Sequence, residues 1–222
     1  VVRGLQALHR RDTVVGEGLH VERLLLGLHD VRQLHVTGLV QSQVDGDDGG
    51  QIDLEGFEAG VHFVTVFWKG DKGLDKLCNS GGGWDTHGNN FTCLKDRLLP
   101  EFDRAFSALI ADLDTRGLLA ETLVCFVSEF GRTPKINKAK GRDHWTHCLT
   151  DVLVGGGIRG GQVIGATDKI GSRPSDNPVE PPQILASIYH AMGVDLDNTM
   201  MPGPGERPVR LVEAEPIRQL FS

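Results

Sequence analysis

The apolar run Thr122-Leu-Val-Cys-Phe-Val127 and the polar stretch after it, Ser128-Glu-Phe-Gly-Arg-Thr-Pro134, decide the predicted fold. A short run that is almost wholly apolar is typical of a strand covered on both faces. Leu149–Val154 is a second such run, and Val61–Phe67 is a third candidate strand because it is rich in β-branched and aromatic residues. These three runs predict a buried sheet.

Helical patterns alternate with these strands. Leu94–Arg116 has leucine and phenylalanine at helical spacing, and Pro100 is expected to kink this helix or to begin a second one. Gly117 stands where the C-terminal cap of this helix is expected. Pro181–Met192 predicts another helix with proline in its first turn, whereas residues 69–83 are predicted to be a polar, glycine-rich loop. The alternation indicates an α/β fold with a mainly parallel sheet, in which ligands bind beyond the carboxyl ends of the strands.

The overall composition excludes several classes of protein. Hydrophobic residues make up 39% and charged residues 24%, which is ordinary for a folded globular protein. No apolar run approaches the roughly 18 residues of a membrane helix, and the net charge of −7 argues against nucleic acid as the partner. The four cysteines form no C-x-x-C pair, so neither a zinc ribbon nor a dense disulfide framework is predicted.

The chain divides into two segments of different composition. Residues 1–59 contain no Lys, Asn, Pro, Met, Tyr, Trp or Cys, whereas residues 60–222 have ordinary usage. Two interpretations of the first segment stay open: a foreign or mis-framed leader, and a genuine helical leader. Within it, residues 45–53 are similar to the start of an EF-hand loop, but Gly49 and Gly56 stand at two ligand positions, which argues against calcium binding.

Acidic, histidine and arginine side chains gather in three stretches at strand ends or in connecting loops. The stretches are Gly83–Asn90 with Asp85 and His87, Ser128–Pro134 with Glu129 and Arg132, and Gly141–His147 with Asp143, His144 and His147. Taken singly, each side chain is also explained as an ordinary loop residue. Their occurrence together at one edge of the predicted sheet favours a functional site.

The donor set of these stretches indicates a metal site. Asp85 and His87 project to the same side of an extended backbone, so both side chains can reach one ion. Carboxylate oxygen with imidazole nitrogen suits Zn, Mn or Fe, and Arg132 or Arg142 can neutralise an oxyanion beside the ion.

Three further side chains are candidates that we weigh against packing. His147 stays open between a metal ligand and a bystander. His190 lies on a predicted helix face, and Cys148 leads into an apolar run, so packing is the favoured interpretation for both.

Read in order, these stretches closely resemble a family catalogued as domain of unknown function 1501, which is itself similar to sulfatases and alkaline phosphatases. The resemblance covers residues 58–222 and rests above all on GWDTHGNNF at 83–91, EFGRTPKIN at 129–137 and GRDHW at 141–145. It implies a three-layer α/β/α sandwich of the alkaline-phosphatase type and a metal-dependent hydrolase site. Together with the donor set, this leads us to expect a divalent metal, Zn or Mn, and a hydrolase of small phosphate or sulfate esters. Arg132 is then the expected catalytic cation, which steadies the developing charge.

The resemblance also assigns ligands by position. Asp85, His87 and His144 correspond to one metal, and Glu129 with Asp143 corresponds to a second. The wider superfamily has Asp-His where this chain has Glu129-Phe130, and residues 1–59 contain nothing similar to the first strand with its metal-binding Asp and nucleophile.

Residues 60–222 are therefore expected to be the C-terminal part of such a domain, incomplete at its N-terminus and slow or inactive as an enzyme. A non-catalytic α/β ligand-binding or vestigial module is the alternative. Members of the family are often exported, although this sequence shows no export signal, and the sequence does not give the oligomeric state.

Overall fold

The computed structural model describes residues 20–22, 39–44, 64–68 and 71–221 of the 222-residue chain. The first three ranges are strands β1 (His20–Glu22), β2 (Leu39–Val44) and β3 (Val64–Trp68) of one sheet. β1 and β2 are antiparallel, and β2 and β3 are parallel. The leader assigned to residues 1–59 and its EF-hand-like loop lie mostly outside the described residues, so the division of the chain at residue 59 stays a prediction.

Four α-helices occur in the described part of the chain. They are α1 (Lys72–Cys78), α2 (Asn90–Cys93), α3 (Leu99–Thr115) and α4 (Pro181–Ala191), with a π-helical turn at Leu94–Leu98 between α2 and α3. Pro100 lies in the first turn of α3, and Gly117 has a φ of 72° just beyond its end, as a C-terminal glycine should. These two helix predictions are confirmed.

The other strands form two-stranded antiparallel pairs. They are β4 (Val124–Phe126) with β7 (Val152–Val154), β5 (Gly131–Arg132) with β6 (His144–Trp145), β8 (Ala166–Thr167) with β9 (Pro174–Asp176), and β10 (Met200–Pro202) with β11 (Pro208–Arg210).

The predicted three-layer α/β/α sandwich with a mainly parallel sheet is therefore wrong. The two apolar runs do pair, but β4 and β7 are antiparallel, with Cys125 opposite Leu153. A parallel pair needs a crossover connection, usually through a helix, and the segment between β4 and β7 contains only the β5–β6 hairpin. A buried apolar run looks the same in either kind of sheet, so its composition did not reveal the strand direction.

The predicted polar loop at 69–83 is also wrong, because it contains α1. Asp71 caps this helix by accepting a hydrogen bond from Gly73 N at 2.6 Å. Leu74 and Cys78, four residues apart, form the buried face of the helix. The surrounding glycines masked this pattern in the sequence.

Two apolar clusters lie close to the polar stretches of the sequence. Val64 of β3 and Val124 of β4 pack with Leu109 and Leu113 of α3. The second cluster joins α1 to the π-helical turn through Leu74 and Leu98, with Trp84 packed against it. Trp84 immediately precedes Asp85, so the residues that bear the polar side chains are attached directly to a core.

A disulfide closes the loop between α1 and α2. Cys78 and Cys93 are fully buried and bonded to each other across 15 residues of sequence. The loop between them contains Asp85 and His87. The cysteine pattern gave no sign of this bond, because the two residues share no recognised spacing motif.

We expect the disulfide to contribute about 3 kcal/mol to the free energy of unfolding, because a closed loop of this length restricts the unfolded chain. The Cys78→Ser/Cys93→Ser double variant should lose this amount in urea denaturation. Dithiothreitol should lower the wild-type midpoint to that of the variant. The Cys148→Ser control keeps the disulfide, so its midpoint should match that of the wild type both with and without reductant. A double variant as stable as the oxidised wild type would contradict the expectation.

A second prediction concerns Asp151, which precedes β7 and accepts a hydrogen bond from Ser128 N at 3.2 Å. Burial raises the pKa of Asp151 above its ordinary value of 3.8, although the Ser128 hydrogen bond opposes the shift. Because ionisation then costs the folded state more than the unfolded state, stability falls as pH rises through the ordinary and then the raised pKa.

Asp151→Asn keeps the acceptor oxygen and removes the charge. Its thermal midpoint should exceed that of the wild type at neutral pH. The difference should vanish at about pH 3, where the Asp151 carboxyl of the wild type is protonated in both the folded and the unfolded state. A difference that is the same at both pH values would show that ionisation of Asp151 is not its cause.

Candidate metal centre

The carboxylate of Asp85 is the point at which three cationic or titratable side chains meet. His144 Nε2 lies 2.7 Å from Asp85 Oδ1, and His87 Nε2 lies 3.0 Å from Oδ2. Arg132 Nη2 donates to Oδ1 in a short hydrogen bond. One ligand atom from each of Asp85, His87 and His144 lies within 4.8 Å of the others.

Tight turns of the loop after α1 bring Asp85 and His87 together. Thr86 N donates to the Trp84 carbonyl at 2.9 Å, and His87 N donates to the Asp85 carbonyl at 3.0 Å. The buried hydroxyl of Thr86 donates to Asn90 Oδ1 at 2.5 Å, so this side chain anchors the turn to α2. Asp85 and His87 flank Thr86 and remain partly exposed, on the side where an ion can reach them.

The β5–β6 hairpin supplies the other two groups. Arg132 on β5 and His144 on β6 are direct cross-strand partners in the antiparallel register. The ring of Phe130 packs against the ring of His144 at a tilt of 33°, with centroids 4.1 Å apart, and this contact restricts the imidazole. One short hairpin thus places both a guanidinium and an imidazole against Asp85.

Backbone contacts hold the hairpin against the loop. Asn89 N donates to the Ala139 carbonyl at 3.0 Å, and Arg142 N donates to the Thr86 carbonyl at 3.3 Å. Gly141 lies so close that a Cβ atom at this position would overlap the carbonyl of His87. Glycine at 141 is therefore a steric requirement of the close approach.

Asn137 organises the hairpin internally and attaches it to the site. Its Oδ1 accepts hydrogen bonds from Ala139 N and Gly141 N, both at 2.9 Å. Its Nδ2 donates to the His87 carbonyl at 3.0 Å and to Asp143 Oδ1 at 3.1 Å. Sequence reasoning missed this residue; the available signal was an asparagine in a turn-forming loop, which favours bonds to its own backbone.

His87 lies between two carboxylates. Asp143 Oδ1 is 2.9 Å from His87 Nδ1, on the opposite side of the ring from Asp85. Carboxylates accept hydrogen bonds and do not donate them when ionised. The ring therefore either carries protons on both nitrogens or binds a cation through Nε2 while Nδ1 donates to Asp143.

The second arrangement is the one by which proteins orient histidine ligands of metals, with a carboxylate on the outer nitrogen. Zinc lies about 2.1 Å from nitrogen and oxygen ligands, which places tetrahedral donors about 3.4 Å apart. The separations of 2.7 and 3.0 Å around Asp85 are within an ångström of that value. Small side-chain rotations would thus accommodate a divalent cation among Asp85, His87 and His144.

Electrostatics keep both acids ionised. Partial burial raises the pKa of Asp85, but hydrogen bonds from Arg132 and His144 and the charges of Arg132 and His87 outweigh it, so the net pKa lies below the ordinary value. Hydrogen bonds from His87 and Asn137 likewise lower the pKa of Asp143. Ionised carboxylates at neutral pH are the form that binds a cation.

The predicted site residues divide into two groups by position. Asp85, His87, His144, Asp143 and Arg132 are brought together. Glu129 is exposed and lies outside the group of ligand atoms, so its assignment to a second metal stays a prediction.

Arg132 has the contacts of a residue that positions its neighbours. Besides Asp85, its guanidinium donates to the carbonyl of Arg142 at 3.2 Å and to that of Trp84 at 3.1 Å. Its predicted catalytic role remains a prediction.

The structure also places the two histidines that we weighed as candidates against packing, His147 and His190. His147 Nδ1 lies 3.4 Å from Arg173 Nη1, and its ring contacts Trp145 rather than Asp85. The ring of His190 packs against Phe221, with centroids 4.7 Å apart.

The described residues thus define a mixed α and β protein whose loops and hairpin carry a carboxylate–imidazole site. A family model described as "Protein of unknown function (DUF1501)" matches residues 53–221, so the chain belongs to this family. No curated protein and no solved structure matches the chain. The further relation to sulfatases and alkaline phosphatases receives no support from these comparisons.

Among the described residues, no helix is both long enough and apolar enough to cross a membrane.

We expect Asp85→Ala and His144→Ala to abolish high-affinity binding of Zn²⁺ or Mn²⁺, because each variant removes one of three protein ligands. Asp143→Asn should weaken binding by about 10- to 100-fold, the usual effect of losing the carboxylate behind a ligand histidine. Isothermal titration calorimetry of the metal-stripped protein measures all three.

His147→Ala is the matched control, since it removes an imidazole three residues from His144 that lies outside the group. It should bind metal like the wild type. Metal binding that survives Asp85→Ala, or that fails equally in the control, would contradict the assignment.

Proposed function

We propose that this protein is a metal-dependent hydrolase of phosphate or sulfate esters, with Asp85, His87 and His144 as ligands of a divalent cation, Zn or Mn. The observation that carries the proposal is the position of His87 between two carboxylates. That arrangement requires either a second proton on the ring or a cation at Nε2, and the adjoining His144 provides a further nitrogen donor on the same side.

A divalent cation at this site would polarise the ester oxygen and activate the attacking group. The protein's own residues would supply orientation. Asp143 fixes His87, and Arg132 fixes Asp85 while keeping positive charge beside the substrate. Three of the five N–H groups of the Arg132 guanidinium are used in the contacts described above, which leaves two for an ester anion.

Exposure of the site is suited to a substrate from solution. The side chains of Asp85 and His144 are 47% and 44% exposed, so an anionic ester can approach the proposed ion without opening of the fold. The Cys78–Cys93 disulfide is of the kind found in oxidising compartments, which supports the export expected from the family resemblance.

The non-catalytic alternative is favoured by one observation. In the described part of the chain, no serine or threonine hydroxyl hydrogen-bonds to Asp85, His87 or His144. A hydrolase of the proposed kind then depends on water or on another group as nucleophile, whereas a binding module needs none.

Hydrolysis of 4-nitrophenyl phosphate and 4-nitrophenyl sulfate tests the two candidates. With Zn²⁺ or Mn²⁺ added to the metal-stripped full chain, we expect hydrolysis above the buffer rate, and we expect its loss in Asp85→Ala and His144→Ala. The reason is that both variants lack the proposed metal site.

His147→Ala should retain the wild-type rate. Metal binding without hydrolysis of either ester would overturn the enzyme proposal in favour of the binding module. Hydrolysis that is unaffected by chelators and by both site variants would show that the activity does not belong to this site.

A further inference from the structure

The segment between the two strands of the β5–β6 hairpin is rich in positive charge. Between Arg132 and Arg142 there are five basic side chains, the other three being Lys135, Lys138 and Lys140, and no acidic side chain. The chain as a whole has a net charge of −7. The segment is thus a local concentration of positive charge in an acidic protein.

The lysines of this segment have no anionic partner among the described residues. Lys135, Lys138 and Lys140 are exposed and take part in none of the ion pairs there. Two of the acids near the segment, Asp85 and Asp143, already pair with Arg132, His87 and His144. The third, Glu129, lies three residues before Arg132 and takes part in none of the ion pairs of the described residues. The acids of the site therefore do not neutralise the lysines.

The segment adjoins the proposed metal ligands directly. Lys140 forms a backbone bridge with Gly88, the residue after His87, and its carbonyl accepts from Asn90 N at 3.1 Å. Two residues further on, Arg142 lies over the ring of Phe91, and its Nε is buried without a hydrogen-bond partner among the described residues. The C-terminal end of the segment therefore lies against the loop that bears His87.

A solvated surface without a ligand usually intersperses both signs of charge. Residues 206–218 of this chain do so, with three acids and three arginines. Arg132 is paired with Asp85, but Lys135, Lys138, Lys140 and Arg142 take part in no ion pair among the described residues. Like charges so near in sequence repel one another, and their local potential attracts anions. A bound polyanion would relieve this repulsion. A loop that carries both signs of charge has no such repulsion to relieve.

We propose that the segment Arg132–Arg142 is an anion subsite that binds further sulfate or phosphate groups of the substrate, beside the ester group at the metal centre. The substrate class is then a molecule with several sulfate or phosphate groups. Its identification as a substrate rests on the proposed hydrolase function, whereas the anion subsite itself does not.

Binding of two multiply charged probes tests the subsite. Sucrose octasulfate and inorganic tripolyphosphate represent the two chemistries, and each is titrated calorimetrically into the full chain in the presence of a chelator. The Lys135→Gln/Lys138→Gln/Lys140→Gln variant should bind the preferred probe at least about tenfold more weakly, because each lost charge removes a favourable contact. Raising the salt concentration should narrow this difference.

The control variant Lys72→Gln/Lys95→Gln/Lys169→Gln removes the same charge from three exposed lysines outside the segment. It should bind within about twofold of the wild type, since it leaves every charge of the segment in place. Thermal unfolding of both variants checks that they fold. Equal losses in the two variants, or no loss in the first, would overturn the subsite.

Two further experiments test the subsite independently of the hydrolase function and test the class of its ligand. Asp85→Ala should lose metal and hydrolysis but keep probe binding, so loss of hydrolysis with retained probe binding leaves the subsite standing. A DNA duplex of equal charge should bind more weakly than the better probe. Tighter binding of the duplex would make nucleic acid the partner and overturn the proposed substrate class.

Discussion

The carboxylate of Asp85 joins the two halves of the site. Asp85 belongs to the loop after α1, whereas Arg132 and His144 belong to the β5–β6 hairpin, and both of these side chains contact its oxygens. A second carboxylate, that of Asp143 on the hairpin, contacts His87 of the loop from the other side of the ring. Without the negative charge of Asp85, the Arg132 guanidinium and the His144 imidazole would face His87 with no anion between them. These contacts therefore depend on Asp85 being ionised, and the partners of Asp85 lower its pKa and so favour that state.

The backbone framework makes this convergence precise. The Cys78–Cys93 disulfide closes the loop that bears Asp85 and His87, and Asn137 ties the tip of the hairpin both to that loop and to Asp143. Main-chain hydrogen bonds between residues 86–90 and 139–142 complete the contact. Side chains that are already held by such contacts lose little conformational entropy when they bind a ligand. This is the physical basis of a preorganised site.

Local signals in the sequence were sufficient for part of this structure. The β-branched run at β3, Pro100 and Gly117 around α3, and the mixed donors of Asp85, His87 and His144 were all evident without coordinates. The direction of β7 was not, because an apolar run has the same composition in parallel and antiparallel sheets. The disulfide and the role of Asn137 depend on contacts between distant turns, for which no spacing pattern exists.

The glycine at 141 has a consequence for how this region can change over time. Since there is no room for a Cβ atom beside the carbonyl of His87, even alanine would push the hairpin away from the loop. That displacement would separate His144 from His87 and Asp85 without altering any of the three. Mutational tolerance near the site should thus follow the spacing of the main chains: position 141 should resist every replacement, while the exposed neighbour at 139 should accept many.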